Sequence, residues 1–336
     1  MDQERRRREP PPAAGEERQQ LLILRPPQLF IVYEQEFSDS FNLLKAYESP
    51  LPTDIFLHKY AQSTRVVFCS GLSPITNDIL HHLPSLQLVA AASTGVNHID
   101  LAACRRRGIA VTNTADVFSE DTADYAVGIL IGLIRKISGG DSFVRRRLWP
   151  LAGEYPFGFT LKNKRVGIVG LGNIGSKVAK RLESLGCKIS YNSRTKNPSA
   201  SHNFYPTACE LASHSDILVI CCTLTDDSRH IINDDVMAAL GENGFIVNIA
   251  RGPVVDERAL VKRLLEGTIA GAGLDVFENE PAVPQELLRL DNVVLSPHRA
   301  GFTREAFAVG FRMVMDNLNA FFSGEPLISP IINLKR

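Results

Sequence analysis

Between residues 245 and 300 lie three short stretches with residue types suited to anion binding and acid–base chemistry. Each follows an apolar run. Arg251 falls in Asn248-Ile249-Ala250-Arg251-Gly252. Asp275, Glu278 and Glu280 fall in Leu274-Asp275-Val276-Phe277-Glu278-Asn279-Glu280-Pro281, and His298 ends Ser296-Pro297-His298. A planar guanidinium grips a carboxylate through two parallel bonds. An imidazole titrates near neutral pH, and a neighbouring carboxylate tunes it. Glu278 and Glu280 are rivals for that neighbour, and spacing alone does not choose. The other seven histidines lack a comparable setting: His81 and His82 lie near a helix end, His98 starts a helix, and His58, His202, His214 and His230 lie in polar surroundings.

These groups need a scaffold that brings strand ends together. The clearest piece is Arg165-Val166-Gly167-Ile168-Val169, then Gly170-Leu171-Gly172-Asn173-Ile174-Gly175, then the helical pattern from Ser176. A G-x-G-x-x-G between a strand and a helix describes a dinucleotide site. Gly170 allows the tight turn, Gly172 lets a pyrophosphate approach the backbone, and Gly175 lets helix and strand pack closely. The helix start offers N–H groups and a positive dipole end to phosphates. Further strands are expected at Lys188–Asn192, Asp216–Cys222, Phe245–Asn248, Ala270–Val276 and Asn292–Leu295. Together they read as a doubly wound Rossmann sheet. Ligands of such sheets bind outside the carboxyl ends of the strands, where the Arg, the acids and His298 all fall.

The end of the second strand bears on cofactor choice. An NAD site places Asp or Glu about 20 residues past the glycine loop, on the ribose 2′-OH. Here Ser193-Arg194-Thr195-Lys196 stands instead. Arg194 can fork around a 2′-phosphate and Ser193 can donate to it, which favours NADP. Cys222 and Ile249, at the ends of the third and fourth strands, are expected to line the cofactor.

The N-terminal half alternates too. Strands are expected at Leu29–Tyr33, Arg65–Cys69, Leu86–Ala92 and Ile109–Thr112. Helices are expected at Phe37–Tyr47, Pro74–Leu83 and Ile99–Arg107. This is a second parallel α/β sheet. A longer helix over Glu120–Ile137 ends at Gly139-Gly140, followed by an irregular arm with Trp149. The last helix, Thr303–Phe322, is expected to pack back on the first domain. The fold class is therefore α/β, with two doubly wound parallel-sheet domains and a cleft between them. The boundaries are 28–120 with 303–336 for the first domain, and 121–302 for the second, dinucleotide-binding one. Residues 1–27, with Arg5–Arg8 and Pro10–Pro12, read as a disordered tail rather than a signal peptide. The four arginines also suit a nuclear address.

Formal net charge over the 336 residues is +0, so no basic surface points to nucleic acid. The longest apolar run, Tyr125–Ile134, is too short to span a bilayer. The six cysteines show no zinc spacing, so no metal is expected, and they suit a reducing, cytoplasmic compartment.

The glycine loop, Asn248–Gly252, Leu274–Pro281 and Ser296–His298 together resemble the D-isomer-specific 2-hydroxyacid dehydrogenase family, over nearly everything after residue 28. Ser193-Arg194-Thr195 with Trp149 is most similar to its plant NADPH-dependent glyoxylate/hydroxypyruvate reductase branch. The resemblance implies that Arg251 holds the carboxylate of a 2-keto acid and polarises its keto oxygen. It implies that His298 protonates that oxygen as hydride reaches C2, with Glu280 fixing the imidazole. Thr94 and Gly95 would bind the carboxylate through backbone N–H groups, and Asp275 would hold the nicotinamide end. It further implies a homodimer through residues 121–160, in which Trp149 either reaches the partner's pocket or packs within its own arm. Hydroxyphenylpyruvate reductase and a nucleotide-sensing corepressor-like protein are the alternative readings. Arg299, after His298, departs from the small residues of many relatives; it either adds charge beside the imidazole or points to solvent.

Overall fold

A computed structural model describes residues 18–333. The chain divides into two compact units, Met1–Val117 with Arg304–Arg336, and Phe118–Thr303. Residues 1–17 of the expected tail, including Arg5–Arg8, lie outside the described residues, as do 334–336.

The first unit holds β1 (Gln20–Ile23), β2 (Asn42–Lys45), β3 (Val66–Cys69), β4 (Leu88–Ala91) and β5 (Ala110–Thr112), with a late strand at Pro330–Ile332. The sheet order is Pro330–Ile332, β5, β4, β3, β1, β2. Only the late strand runs antiparallel to its neighbour. Every residue of β3 and β4 is buried. Both faces of a parallel sheet are covered, so such strands read as continuous apolar runs. Helix Arg304–Phe322 returns to this unit, where Phe311 stacks on Tyr33 at 4.3 Å between ring centroids.

The N-terminal elements depart from the sequence reading. Gln20–Ile23 falls inside the stretch assigned to the tail, yet it is a central strand between β2 and β3. Leu29–Tyr33 is not a strand: Gln28–Val32 is helical, burying Leu29 and Phe30. Phe37–Tyr47 divides into helix Glu34–Ser40 and edge strand β2. Four-residue strands carry too little local periodicity to be told from helix. Pairing with residues distant in sequence decides them.

The second unit holds β6 (Arg165–Val169), β7 (Lys188–Asn192), β8 (Asn203–Phe204), β9 (Ile217–Ile220), β10 (Phe245–Asn248), β11 (Gly271–Leu274) and β12 (Val293–Leu295). All are parallel, in the order β12, β11, β10, β9, β6, β7, β8. The winding reverses between β6 and β9, the switch point at which open sheets take their ligands. Alternate residues of one strand feed opposite cores. Leu218 and Ile220 join one buried cluster, and Ile217 and Val219 join the other.

Helix Ser119–Ile134 packs on helix Asn173–Ser184, which opens after the glycine loop. Their outer edges are tied by Lys177–Glu120 (2.5 Å), Arg181–Glu120 (2.8 Å) and Arg181–Asp124 (2.6 Å). The first helix stops earlier than the glycines suggested. Lys136 adopts a left-handed φ of 54°, and a new helix, Ile137–Arg145, contains Gly139 and Gly140. A Cβ on Gly139 would lie 2.1 Å from the Tyr155 hydroxyl. That glycine makes room for the returning arm rather than ending a helix.

Candidate active site

The glycine loop runs from the end of β6 into helix Asn173–Ser184. Gly170 has φ 95°, a region that L side chains rarely enter. A Cβ there would also lie 2.6 Å from Cα of Cys222, at the end of β9. A Cβ on Gly175 would lie 2.1 Å from the Gly170 carbonyl oxygen, which explains the close helix–strand packing. Gly172, the N-cap, has nothing within 4 Å of its Cβ position and leaves open space over the turn. Ser176 N is bonded to Gly172 O at 2.9 Å. The earlier N–H groups, including those of Asn173 and Ile174, have no intrahelical acceptor and suit a phosphate. Leu171 and Ile174 pack partly buried against the adjoining core.

At the end of β7 a loop presents Ser193, Arg194 and Thr195. The hydroxyl of buried Tyr191 accepts from Asn197 N at 2.9 Å and donates to Asn197 O at 3.3 Å, which closes the loop. Ser193 Oγ donates to Thr195 O at 2.6 Å. Arg194 is exposed and has no ion-pair partner among the described residues. Cys222 and Ile249 stand past the ends of neighbouring strands, β9 and β10. These residues fit a dinucleotide: a glycine cradle, a helix start and an exposed cation where a ribose substituent falls.

Next along the sheet edge, Arg251 follows β10. Asn248 is buried and shapes this turn: its Nδ2 donates to Arg251 O (3.1 Å) and its Oδ1 accepts from Ala250 N (3.0 Å). Gly252 lies so close to the next loop that a Cβ would be 1.9 Å from Phe277 C and O. Arg251 donates to Ala250 O at 2.6 Å. Burial pushes its guanidinium below the ordinary arginine range, with Glu280 and Asp275 acting against that shift. It stays a cation.

After β12, His298 takes a left-handed φ of 55°. Its Nδ1 donates to Glu280 Oε2 at 2.7 Å, and Glu280 Oε1 accepts from Phe277 N at 3.0 Å. Burial alone would raise the Glu280 carboxyl. The His298 hydrogen bond and charge, with Phe277 N and Arg251, outweigh it and hold the carboxyl below the usual range. Glu278 is directed elsewhere: its Oε1 is 2.7 Å from His230 Nε2 and its backbone N donates to Glu257. Of the two rival acids, Glu280 bonds His298 and Glu278 bonds His230.

Asp275 is 1% exposed. Its Oδ1 accepts from Ser296 Oγ (2.5 Å) and Arg299 N (2.8 Å), and its Oδ2 from Ala300 N (2.9 Å). Three of roughly four acceptor directions are thus filled from within. The Arg299 guanidinium lies 4.8 Å from the centroid of the Phe302 ring, which it covers. The His230–Glu278 pair, the turn-shaping Asn248 and the Ser296 hydroxyl were given no role in the sequence reading. A buried polar residue beside a strand end was the available signal for Asn248 and Ser296.

In the other unit, Thr94 and Gly95 follow β4. Asn113 Nδ2 donates to Thr94 O at 2.7 Å, and Ser93 Oγ to Gly95 O at 2.8 Å. The Thr94 hydroxyl is buried without a partner. Among the described residues, no group of His, Cys, Asp or Glu has metal-binding geometry.

Two parallel-sheet α/β units, one of them a Rossmann domain with an Arg/Glu/His set at its strand ends, define a dinucleotide-dependent dehydrogenase class. Residues 127–300 match the model of the D-isomer specific 2-hydroxyacid dehydrogenase NAD binding domain, and the chain belongs to that family. It is 50% identical over 310 residues to a glyoxylate/hydroxypyruvate reductase of Arabidopsis thaliana, covering 91% of this chain and 95% of that one. It is 44% identical over 299 residues to a hydroxyphenylpyruvate reductase of Plectranthus scutellarioides, covering 89% and 95%. The crystal structure of an NADPH-dependent glyoxylate/hydroxypyruvate reductase from Sinorhizobium meliloti, in complex with NADP and malonate, superposes with a TM-score of 0.86. The two are 33% identical, and the match covers 95% of this chain and 99% of that one.

Proposed function

We propose that the protein reduces a short 2-keto acid, hydroxypyruvate or glyoxylate, to the D-2-hydroxy acid, glycerate or glycolate, using NADPH. The observation that carries this is the half-buried Arg251 near a His298–Glu280 pair at neighbouring strand ends. Bound NADPH supplies the hydride, that is, two electrons and one proton's worth of hydrogen, to C2. Arg251 grips the substrate carboxylate and draws charge towards the keto oxygen. Because Glu280 accepts from Nδ1 of His298, the doubly protonated imidazolium has its Nε2 proton left to give to that oxygen, and it ends as the neutral Nδ1–H form. In the first unit, the backbone N–H groups of Thr94 and Gly95 suit a carboxylate. The glycine loop, Cys222 and Ile249 hold the dinucleotide, and Asp275 offers its remaining acceptor direction to the nicotinamide end. Ser193, Arg194 and Thr195 take the 2′-phosphate.

We assign Met1–Val117 with Arg304–Arg336 to substrate binding and Phe118–Thr303 to NADP. A homodimer through the arm is supported by its exposed apolar side chains. Trp149 is 64%, Leu151 83% and Phe157 90% exposed, and such clusters mark association surfaces. Light scattering on the purified protein tests it; a monomer at micromolar concentration would reject it. Six free thiols support a cytoplasmic setting. No helix of the described residues is long and apolar enough to cross a membrane.

Loss of NADPH absorbance on adding glyoxylate, hydroxypyruvate or hydroxyphenylpyruvate tests the reaction. Turnover with the first two and little with the third is expected. Absence of turnover with every 2-keto acid would overturn the reading, and preference for the third would reassign the substrate.

A further inference from the structure

We propose that Tyr125 is a positioning residue for the His298 loop, acting through Ser296 and Asp275. The inference rests on the reductase reading above. Tyr125 lies on helix Ser119–Ile134, far from the loop in sequence. Its hydroxyl is 2.6 Å from Ser296 Oγ, which in turn is 2.5 Å from Asp275 Oδ1. A carboxylate only accepts, so the Ser296 proton points to Asp275. Tyr125 must then be the donor to Ser296. The chain has one sense: tyrosine to serine to carboxylate.

The far end of that chain holds main chain. Asp275 receives the N–H groups of Arg299 and Ala300 on its carboxylate, and that of His298 on its backbone carbonyl at 2.8 Å. Three consecutive amides are thereby fixed. His298 sits at φ 55°, a conformation that a non-glycine residue keeps only when its surroundings impose it. Asp275 imposes it, Ser296 fixes the rotation of the Asp275 carboxyl, and Tyr125 fixes the Ser296 hydroxyl. With Ser296 6% exposed, water is poorly placed to replace the tyrosine.

The test uses the full chain, with Tyr125→Phe, Ser296→Ala and the double variant beside wild type. Initial rates with NADPH and glyoxylate are read together with thermal melts and amide hydrogen exchange of residues 293–302. Tyr125→Phe is expected to lower kcat about fivefold, the scale of one lost hydrogen bond. Both KM values should stay within about twofold, and exchange at 298–300 should quicken. The double variant should be no slower than Ser296→Ala alone, because the two hydroxyls act as one chain. Unchanged kcat and exchange in Tyr125→Phe would overturn the proposal, as would losses that multiply in the double variant. A wild type inert towards every 2-keto acid would sink the reductase reading instead, and the exchange data would still decide the positioning claim.

Discussion

Nδ1 of His298 stands 2.7 Å from Oε2 of Glu280. That contact keeps the Nδ1 proton on the carboxylate side, so the doubly protonated imidazolium has its Nε2 proton to give. We predict that His298→Gln keeps NADPH affinity but lowers kcat by about 10²–10⁴-fold, the usual worth of a positioned acid. Fluorescence titration with NADPH and single-turnover rates check the two halves separately. Wild-type turnover in this variant would remove His298 from the mechanism.

Arg194 is exposed on a loop closed by Tyr191 and has no competing carboxylate among the described residues. We predict that Arg194→Ala weakens NADPH about tenfold or more, on the scale of one charge-assisted bond. NADH binding should hardly change. Equal losses with both cofactors would mean that this guanidinium does not read the phosphate.

Gly252 has no room for a side chain, since its Cβ would meet Phe277 C and O at 1.9 Å. Gly252→Ala must push the Arg251 turn away from the Phe277–Glu280 loop. A destabilisation of about 1–3 kcal/mol or more is expected for such overpacking, with kcat falling further than the melting temperature suggests. Urea unfolding and initial rates on the same preparation make the comparison.

The buried, unpartnered hydroxyl of Thr94 leads to the opposite sign. Thr94→Val keeps the shape and removes a polar atom with no partner. We predict a gain of about 1 kcal/mol, read as a higher urea midpoint at unchanged slope. A lower midpoint would show that the hydroxyl has an unrecognised acceptor.

Acid stability should depend on Glu120. Hydrogen bonds from Lys177 and Arg181 lower its carboxyl from 4.5 to about 2, against a small opposing effect of burial. Its folded value lies below its unfolded one, so its contribution is present above about pH 4.5 and is lost as pH falls towards 2. Glu120 is exposed, so the effect should also shrink in salt. Glu120→Gln is expected to flatten that part of the pH–stability curve, as measured by urea unfolding between pH 5 and 2.5. An unchanged curve would show that the ion pair does not form in solution.

The chain's own order of residues was enough to mark the glycine loop, the strand ends beyond it and, as candidates there, Arg251, the two acids Glu278 and Glu280, and His298. A glycine turn, a buried parallel strand and a helix start each leave a local mark: a missing Cβ, an unbroken apolar run, a change of period. Contacts between distant residues leave none. Gln20–Ile23 looked like part of a polar tail until β2 and β3 flanked it. Gly139 looked like a helix stop until Tyr155 was found against it. The choice of Glu280 over Glu278 also came from folding, because two acids two residues apart differ only in where the loop points them. Tyr125 and Ser296 are 171 residues apart, and only the packed sheet and helix brought their hydroxyls within 2.6 Å.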